Sequence, residues 1–312
     1  MHQLRGRPAI RPLAVAGLLL AAALLAMPAS AQTGGSEGLS PTLANIKRTH
    51  VVRLGYRESS PPFSFLDHSN RPIGYSLELC EAIVDEIGIE VDDANLRIEY
   101  VKVTSDDRIP AVTQNRIDLE CGSTTANAER GKLVAFSPLM FVAGTKLMVP
   151  KASTISAPAD LKGKTVVVTK GTTNEQAMHN IDKKLALGIN IVAGPDHEQS
   201  YQMLVDGKAD AYANDDILLN GLIARHKTQD KYKVSGEYLS YDPYGIMFRK
   251  GEPQLTAVVE RAFRKLGSNR DLIPLYNKRF VARLPTGEKL GVSISPQLEE
   301  AFKVLDDTQG NN

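Results

Sequence analysis

The sequence predicts an α/β protein of two βα lobes joined by two extended crossings. Three observations carry that expectation. Strand-like and helix-like patterns alternate from residue 51 to 122 and again from 164 to 226, the signature of sheets with parallel strands and flanking helices. Extended runs at 141–150 and 238–250 flank the second series and would carry the chain out to it and back. The 312 residues also exceed one typical domain of roughly 100–200 residues.

Each element has a local reason. Ser40 and Pro41 read as the cap and first turn of a helix. The β-branched run VVRLGY (51–56) reads as a strand, broken by the SSPP that starts at Ser59. Leu77, Leu79, Cys80, Ile83, Val84 and Ile87 share one face of a helix over 76–87, with Gly88 as its stop. Alternation marks a strand over 96–104, after which Ser105 would cap a short helix to about Asn115. A strand over 118–122 ends the first series. The second series reads as strand 164–169, helix 174–187, strand 190–193, helix 198–205, strand 209–213 and helix 216–226. Helical patterns over 254–266, 271–280 and 295–305 close the chain. These elements place lobe one at 41–141 plus 242–312, lobe two at 146–238, and the crossings at 142–145 and 239–241.

Composition narrows the function. A formal charge of +1, with basic residues spread out and few aromatics among them, argues against nucleic-acid binding. No Cys or His spacing suits a metal, so neither a metal nor a cofactor is expected. Cys80 and Cys121 could bridge or stand as two separate buried thiols, since sequence alone does not place their Cα atoms within bridging reach. The first 31 residues read as a Sec-type signal peptide cleaved after Ala31. They hold Arg5, Arg7 and Arg11, an apolar run over 13–26, and a small-x-small end. That run is short of the about 20 residues a spanning helix needs. Residues 32–40 read as a flexible leader.

The chemistry gathers at strand ends. Arg57 follows the first strand, Ser105 and Arg108 the second, and Ser123, Thr125 and Arg130 the third. In the second series Thr173, His197 and Asp215 hold the matching places. Ligands of open α/β sheets bind beyond the carboxyl ends of strands, so two facing lobes would bring these residues to one cleft. Arginine forks match carboxylates and an aspartate matches an ammonium. Three arginines and one aspartate suit a ligand with two carboxylates and one amine. Singly, each residue has a plainer role: Ser105, Ser123 and Thr173 as caps or turn formers, Asp215 as a cap, the arginines as solvated charges. Recurrence at one end of successive βα units favours the ligand. The GKT at 163–165 lacks the earlier glycine of a phosphate loop, and a strand follows it. A Cys121–His197 nucleophile pair is disfavoured because Cys121 reads as strand interior.

At these residues the chain resembles the periplasmic glutamate/aspartate-binding proteins of ABC importers, within family 3 of the solute-binding proteins. The resemblance covers nearly all of 41–305. It rests on GYRESSPPFSF (55–65), GYSLELCEAIV (74–84), TSDDRIP (104–110), DLECGSTTANAERGKLVAFS (118–137), DLKGKTVVVTKGTTNE (160–175) and DHEQSYQMLVDGKADAYANDDILL (196–219). It implies a periplasmic-binding-protein-like fold, with a two-strand hinge and the ligand cleft between the lobes. It further implies that Arg130 clamps the α-carboxylate, assisted by Thr125 and Thr173. Asp215 and Ser123 would hold the α-ammonium. Arg57, Ser105, Arg108 and His197 would form the pocket for the side-chain carboxylate. Asn214 stands where an apolar residue is common in the family, and Cys80 is an individual feature. The implied protein is a monomeric carrier of glutamate or aspartate that closes on its ligand and delivers it to an ABC permease, with no turnover. Two rivals share the scaffold. One is an enzyme similar to cyclohexadienyl dehydratases, which would need a poised acid in the cleft. The other is a receptor ectodomain, which would need a following membrane span; none is read in this sequence.

Overall fold

The structure is a computed structural model and describes residues 38–307. The expected signal peptide, its cleavage after Ala31 and the leader up to residue 37 lie outside the described residues.

The first part of the chain runs α1 (Pro41–Thr49), β1 (Val51–Tyr56), β2 (Ser59–Ser60), β3 (Ser64–Leu66), β4 (Pro72–Ile73), α2 (Tyr75–Val91), β5 (Arg97–Lys102), α3 (Arg108–Thr113), β6 (Leu119–Glu120), β7 (Val134–Phe136) and β8 (Phe141–Ala143). The second part runs β9 (Thr145–Pro150), β10 (Thr165–Thr169), α4 (Thr173–Leu185), β11 (Asn190–Gly194), α5 (His197–Val205), β12 (Ala211–Asp215), α6 (Asp216–Arg225) and β13 (Tyr232–Ser235). The chain then returns through β14 (Asp242–Tyr244), β15 (Met247–Arg249), α7 (Pro253–Ser268), α8 (Leu272–Tyr276) and α9 (Pro296–Asp307).

Two five-stranded sheets form the two lobes. Their orders are β5-β1-β6-β15-β7 and β11-β10-β12-β9-β13. In each, four strands run one way and a single strand, β15 in the first sheet and β9 in the second, runs against them. The sheets are therefore mixed rather than wholly parallel, because the returning chain adds β15 to the first and the outgoing chain adds β9 to the second. β8 and β14 pair antiparallel as a separate two-stranded ribbon, and the chain passes between the two sheets along it. Apolar residues that alternate in the sequence pack into one large core under the first sheet, where α2 meets α7 and Phe141, Tyr276 and Phe280 stack. Smaller cores line the two faces of the second sheet.

Several local expectations are corrected. Gly88 does not end α2, which runs on to Val91 because the buried stripe continues through Ile87 and Val91; tertiary packing outweighs the low helix propensity of glycine. SSPP is not only a break, since Ser59 and Ser60 pair with Ser64 and Phe65 in a small three-stranded sheet. Ser105 does not cap α3: Asp107 occupies that place, and its carboxylate accepts the Thr104 N–H at 2.7 Å. The third strand shrinks to Leu119–Glu120. Cys80 and Cys121 form a disulfide with Cα atoms 6.2 Å apart. It fastens α2 to the segment that leaves β6.

Candidate functional site

Parallel strands put their carboxyl ends on one edge. β1, β5 and β6 deliver Arg57, Ser105 with Arg108, and Ser123 with Thr125 to one edge of the first sheet. β10, β11 and β12 deliver Thr173, His197 and Asp215 to one edge of the second. The two edges face each other. Thr125 Oγ1 lies 3.2 Å from Thr173 Oγ1, and Arg130 Nη2 donates to the Gly171 carbonyl at 3.3 Å. Lys170 and Asp106 pair across the same seam at 2.9 Å. The structure therefore brings all nine residues singled out in the sequence to one place, and eight of them are buried; Thr173 is half-buried.

The cationic side is built from three arginines. Arg57 is 1% exposed, yet neither terminal guanidinium nitrogen has a hydrogen-bond partner among the described residues. Its backbone N–H is fixed by Ser64 Oγ at 2.8 Å. Arg108 donates through Nη1 to Thr124 Oγ1 at 2.8 Å and to the Ser123 carbonyl at 3.2 Å, while its buried Nε has no partner. Arg130 Nη1 donates to the Thr125 carbonyl at 2.9 Å. Burial and the neighbouring Arg108 lower Arg57 to about 10 and Arg130 to about 9; burial lowers Arg108 as well. All three stay charged at neutral pH. The Ser105 and Ser123 hydroxyls are also buried and without partners among the described residues. Buried polar groups are normally satisfied, so this concentration of unused donors marks a place for an anion with several acceptors.

The opposite side offers one acid and one imidazole. Asp215 accepts from Asn174 Nδ2 at 2.8 Å and from the Tyr244 hydroxyl. Burial, and then the nearby Asp242, raise its carboxyl to about 7. His197 is held well below the usual histidine range by burial, Arg57 and Arg108, so its ring is neutral. Its Nδ1 lies 3.0 Å from Thr169 Oγ1 and 3.2 Å from both the Tyr212 hydroxyl and Asn214 Nδ2. An Nδ1 that accepts from the Asn214 amide leaves the proton on Nε2. Thr173 is not needed as a cap because Thr172 caps α4, accepting from Glu175 N at 3.2 Å, so the Thr173 hydroxyl can meet that of Thr125.

Sequence reasoning missed Glu120, Asn174, Asp242 and Tyr244. Glu120 carries the one visible signal, an acid next to apolar Leu119 in a short strand that is fully buried. Asn174 directly follows Thr173 at the start of α4, whereas Asp242 and Tyr244 reach the site on the returning ribbon. Asp242 accepts from Thr125 Oγ1 at 3.1 Å across 117 residues of sequence.

Two lobes, a ribbon between them and a buried polar seam define a bacterial extracellular solute-binding protein. The chain belongs to the bacterial extracellular solute-binding proteins, family 3, whose model matches residues 52–282. It is 39% identical to an L-glutamate/L-aspartate-binding protein of Pseudomonas aeruginosa, over 92% of this chain and 95% of that protein. It is 33% identical to a glutamate/aspartate import solute-binding protein of Escherichia coli, over 92% and 97%. Among solved structures it is similar to a mutant of ArgBP from T. maritima, with a TM-score of 0.69 and 28% identity over 77% of this chain and all of that one. It is also similar to an ancestral amino acid-binding protein that is a precursor of cyclohexadienyl dehydratase, with a TM-score of 0.65 and 28% identity over 76% and 99%.

Proposed function

We propose that this protein is a periplasmic receptor that captures L-glutamate or L-aspartate and presents it to an ABC permease. The observation that carries the reading is the set of three buried arginines, two of them, Arg57 and Arg108, with unused donors among the described residues, gathered at one seam with Asp215. In this reading Arg130 and the Thr125 and Thr173 hydroxyls hold the α-carboxylate. Asp215 and Ser123 hold the ammonium. Arg57, Arg108, Ser105 and the Nε2–H of His197 receive the side-chain carboxylate. The lobes are 41–141 plus 242–312 and 146–238, and they turn about 142–145 and 239–241. A ligand that touches both lobes favours their closed arrangement through these differential contacts. The mature chain starts after Ala31 and acts as a monomer.

The reading is one of binding without turnover. A dehydratase on this scaffold needs an acid poised to move a proton on the substrate. Asp215 has the raised pKa for that, but Asn174 and Tyr244 already fix both its oxygens as acceptors. An acceptor so held suits an ammonium.

Single substitutions test the assignment. Arg130→Ala is expected to abolish binding of every amino acid, because a carboxylate left without its buried partner costs about 3–5 kcal/mol. Arg108→Ala is expected to weaken glutamate and aspartate strongly and glutamine little. Isothermal titration of both variants decides. Near-normal glutamate affinity in both would overturn the reading.

A further inference from the structure

Glu120 closes β6 at the binding edge and is completely buried. Its Oε2 accepts from Thr124 Oγ1 at 2.6 Å, and that hydroxyl accepts in turn from Arg108 Nη1 at 2.8 Å. The carboxylate thus orients a hydroxyl that holds one terminal nitrogen of Arg108. Its other oxygen, Oε1, has no partner among the described residues. That oxygen lies over Gly122, where a Cβ would overlap it and would stand 3.0 Å from Arg57 Cγ. Any side chain at 122 would therefore displace the carboxylate from its place beside Arg57. The negative charge of Glu120 offsets the cost of burial at each of the three site arginines.

Counting charges gives this acid a purpose. Arg57, Arg108 and Arg130 contribute three positive charges. Among the buried acids, Asp215 and Asp242 oppose two of them and Glu120 the third, while half-buried Asp196 acts on Arg57 from the rim. An amino dicarboxylate brings one net negative charge, with its ammonium on Asp215. A plain dicarboxylate of the same length brings two and no ammonium. Resting on the receptor reading above, we propose that Glu120 is a specificity-determining residue that sets the charge of the pocket, so that it accepts amino dicarboxylates and rejects dianionic dicarboxylates. It does so through its charge beside Arg57, while its bond to Thr124 serves only to orient Arg108.

The test compares L-glutamate with glutarate, which has the same two carboxylates and no amine. Titration calorimetry at pH 8 is run on the ligand-stripped mature protein and on Glu120→Gln. Glutamine keeps the shape and an acceptor for Thr124 but removes the charge. The discrimination against glutarate, taken as the ratio of the two dissociation constants, is expected to fall about tenfold or more in the variant, because a buried charge acts through a low dielectric. Thr124→Val, which cuts the hydroxyl link and leaves the charge, is expected to weaken both ligands with the ratio kept. If Glu120→Gln does not fold, the same shift is expected between Arg57→Gln and the double variant Arg57→Gln/Glu120→Gln, which removes both buried charges together. A ratio within about twofold of its reference in either comparison overturns the inference. Absence of glutamate binding by the wild-type protein overturns the receptor reading and this inference with it.

Discussion

An ionised side chain leaves water only where something replaces its hydration, and the site residues divide on that point. Arg130 is satisfied in part by the Thr125 and Gly171 carbonyls; Arg57 keeps its terminal nitrogens unused. Asp215 shows the same economy from the acid side. Its folded pKa of about 7 lies above the ordinary 3.8, because burial and Asp242 oppose its charge. Its contribution to the stability of the unliganded protein is therefore fully present below the unfolded value and is lost as pH rises through about 7. Ligand binding has the opposite sign, since an ammonium needs the ionised carboxylate. Glutamate affinity is expected to fall by up to about tenfold per pH unit from pH 7 to 5. The ligand's own carboxylates, ordinarily near 4, stay largely ionised in that range, and His197 stays neutral. Titration calorimetry across pH, with Asp215→Asn as the control that flattens the profile, checks this. An affinity that stays constant or rises toward pH 5 would remove Asp215 from the ammonium position. The nine residues at strand ends were legible in the sequence because the βα repeat places such residues on one edge. Asp242 and Tyr244 were not, because residues on the returning ribbon acquire their neighbours only through the fold, and Glu120 was marked only as an acid beside an apolar residue in a strand.

At the level of elements, the segment that follows β6 carries three of the nine assigned residues, Ser123, Thr125 and Arg130, and has little secondary structure of its own. β6 is two residues long, and Ser123 to Thr125 follow it with no helix to hold them. The disulfide from Cys121 to Cys80 supplies an anchor into α2, and Ser76 Oγ adds a second by donating to the Gly122 carbonyl at 2.7 Å. The bridge spans 41 residues of sequence. A loop of that size is expected to contribute about 4 kcal/mol to stability by restricting the unfolded chain. Cys80→Ser with Cys121→Ser is expected to lower the free energy of unfolding by about that much, and to weaken glutamate binding as Ser123 and Thr125 loosen. Urea unfolding and titration of the same preparation read both effects. Unchanged stability would mean that packing alone holds this segment. The sequence left the cysteines undecided for a physical reason: bridging depends on Cα separation, and helix and strand patterns place each cysteine on an element without fixing the distance between them. The mixed character of both sheets escaped for a related reason. β15 and β9 oppose the other strands, and their partners lie far away in sequence, at β6 and β7 for β15 and at β12 and β13 for β9.

Across the whole molecule, the two lobes touch at more than the ligand groups. Ile217 and Leu218 of α6 are buried in the core of the first lobe. Arg225 donates to the Glu58 carbonyl at 3.3 Å. Gly221 faces Pro61 so closely that a Cβ there would overlap the proline carbonyl oxygen and meet its Cγ at 3.2 Å. These contacts join the lobes and lie outside the set assigned to the ligand. Gly221→Val is accordingly expected to favour an open form, seen as a larger radius of gyration in small-angle scattering with ligand present. It is also expected to weaken glutamate about tenfold or more through the reduced population of the closed state. Scattering and affinity that match the wild type would show that α6 does not gate closure. The identity of the ligand remains the central claim, and it is tested most directly by titrating the ligand-stripped mature protein with L-glutamate, L-aspartate, L-glutamine and prephenate in a thermal melt. At about 100 times its dissociation constant a true ligand adds about 2.7 kcal/mol of stability. The two acidic amino acids are expected to raise the melting temperature and glutamine and prephenate to leave it unchanged. A shift with glutamine or prephenate, and none with glutamate or aspartate, would contradict the assignment of the three-arginine pocket.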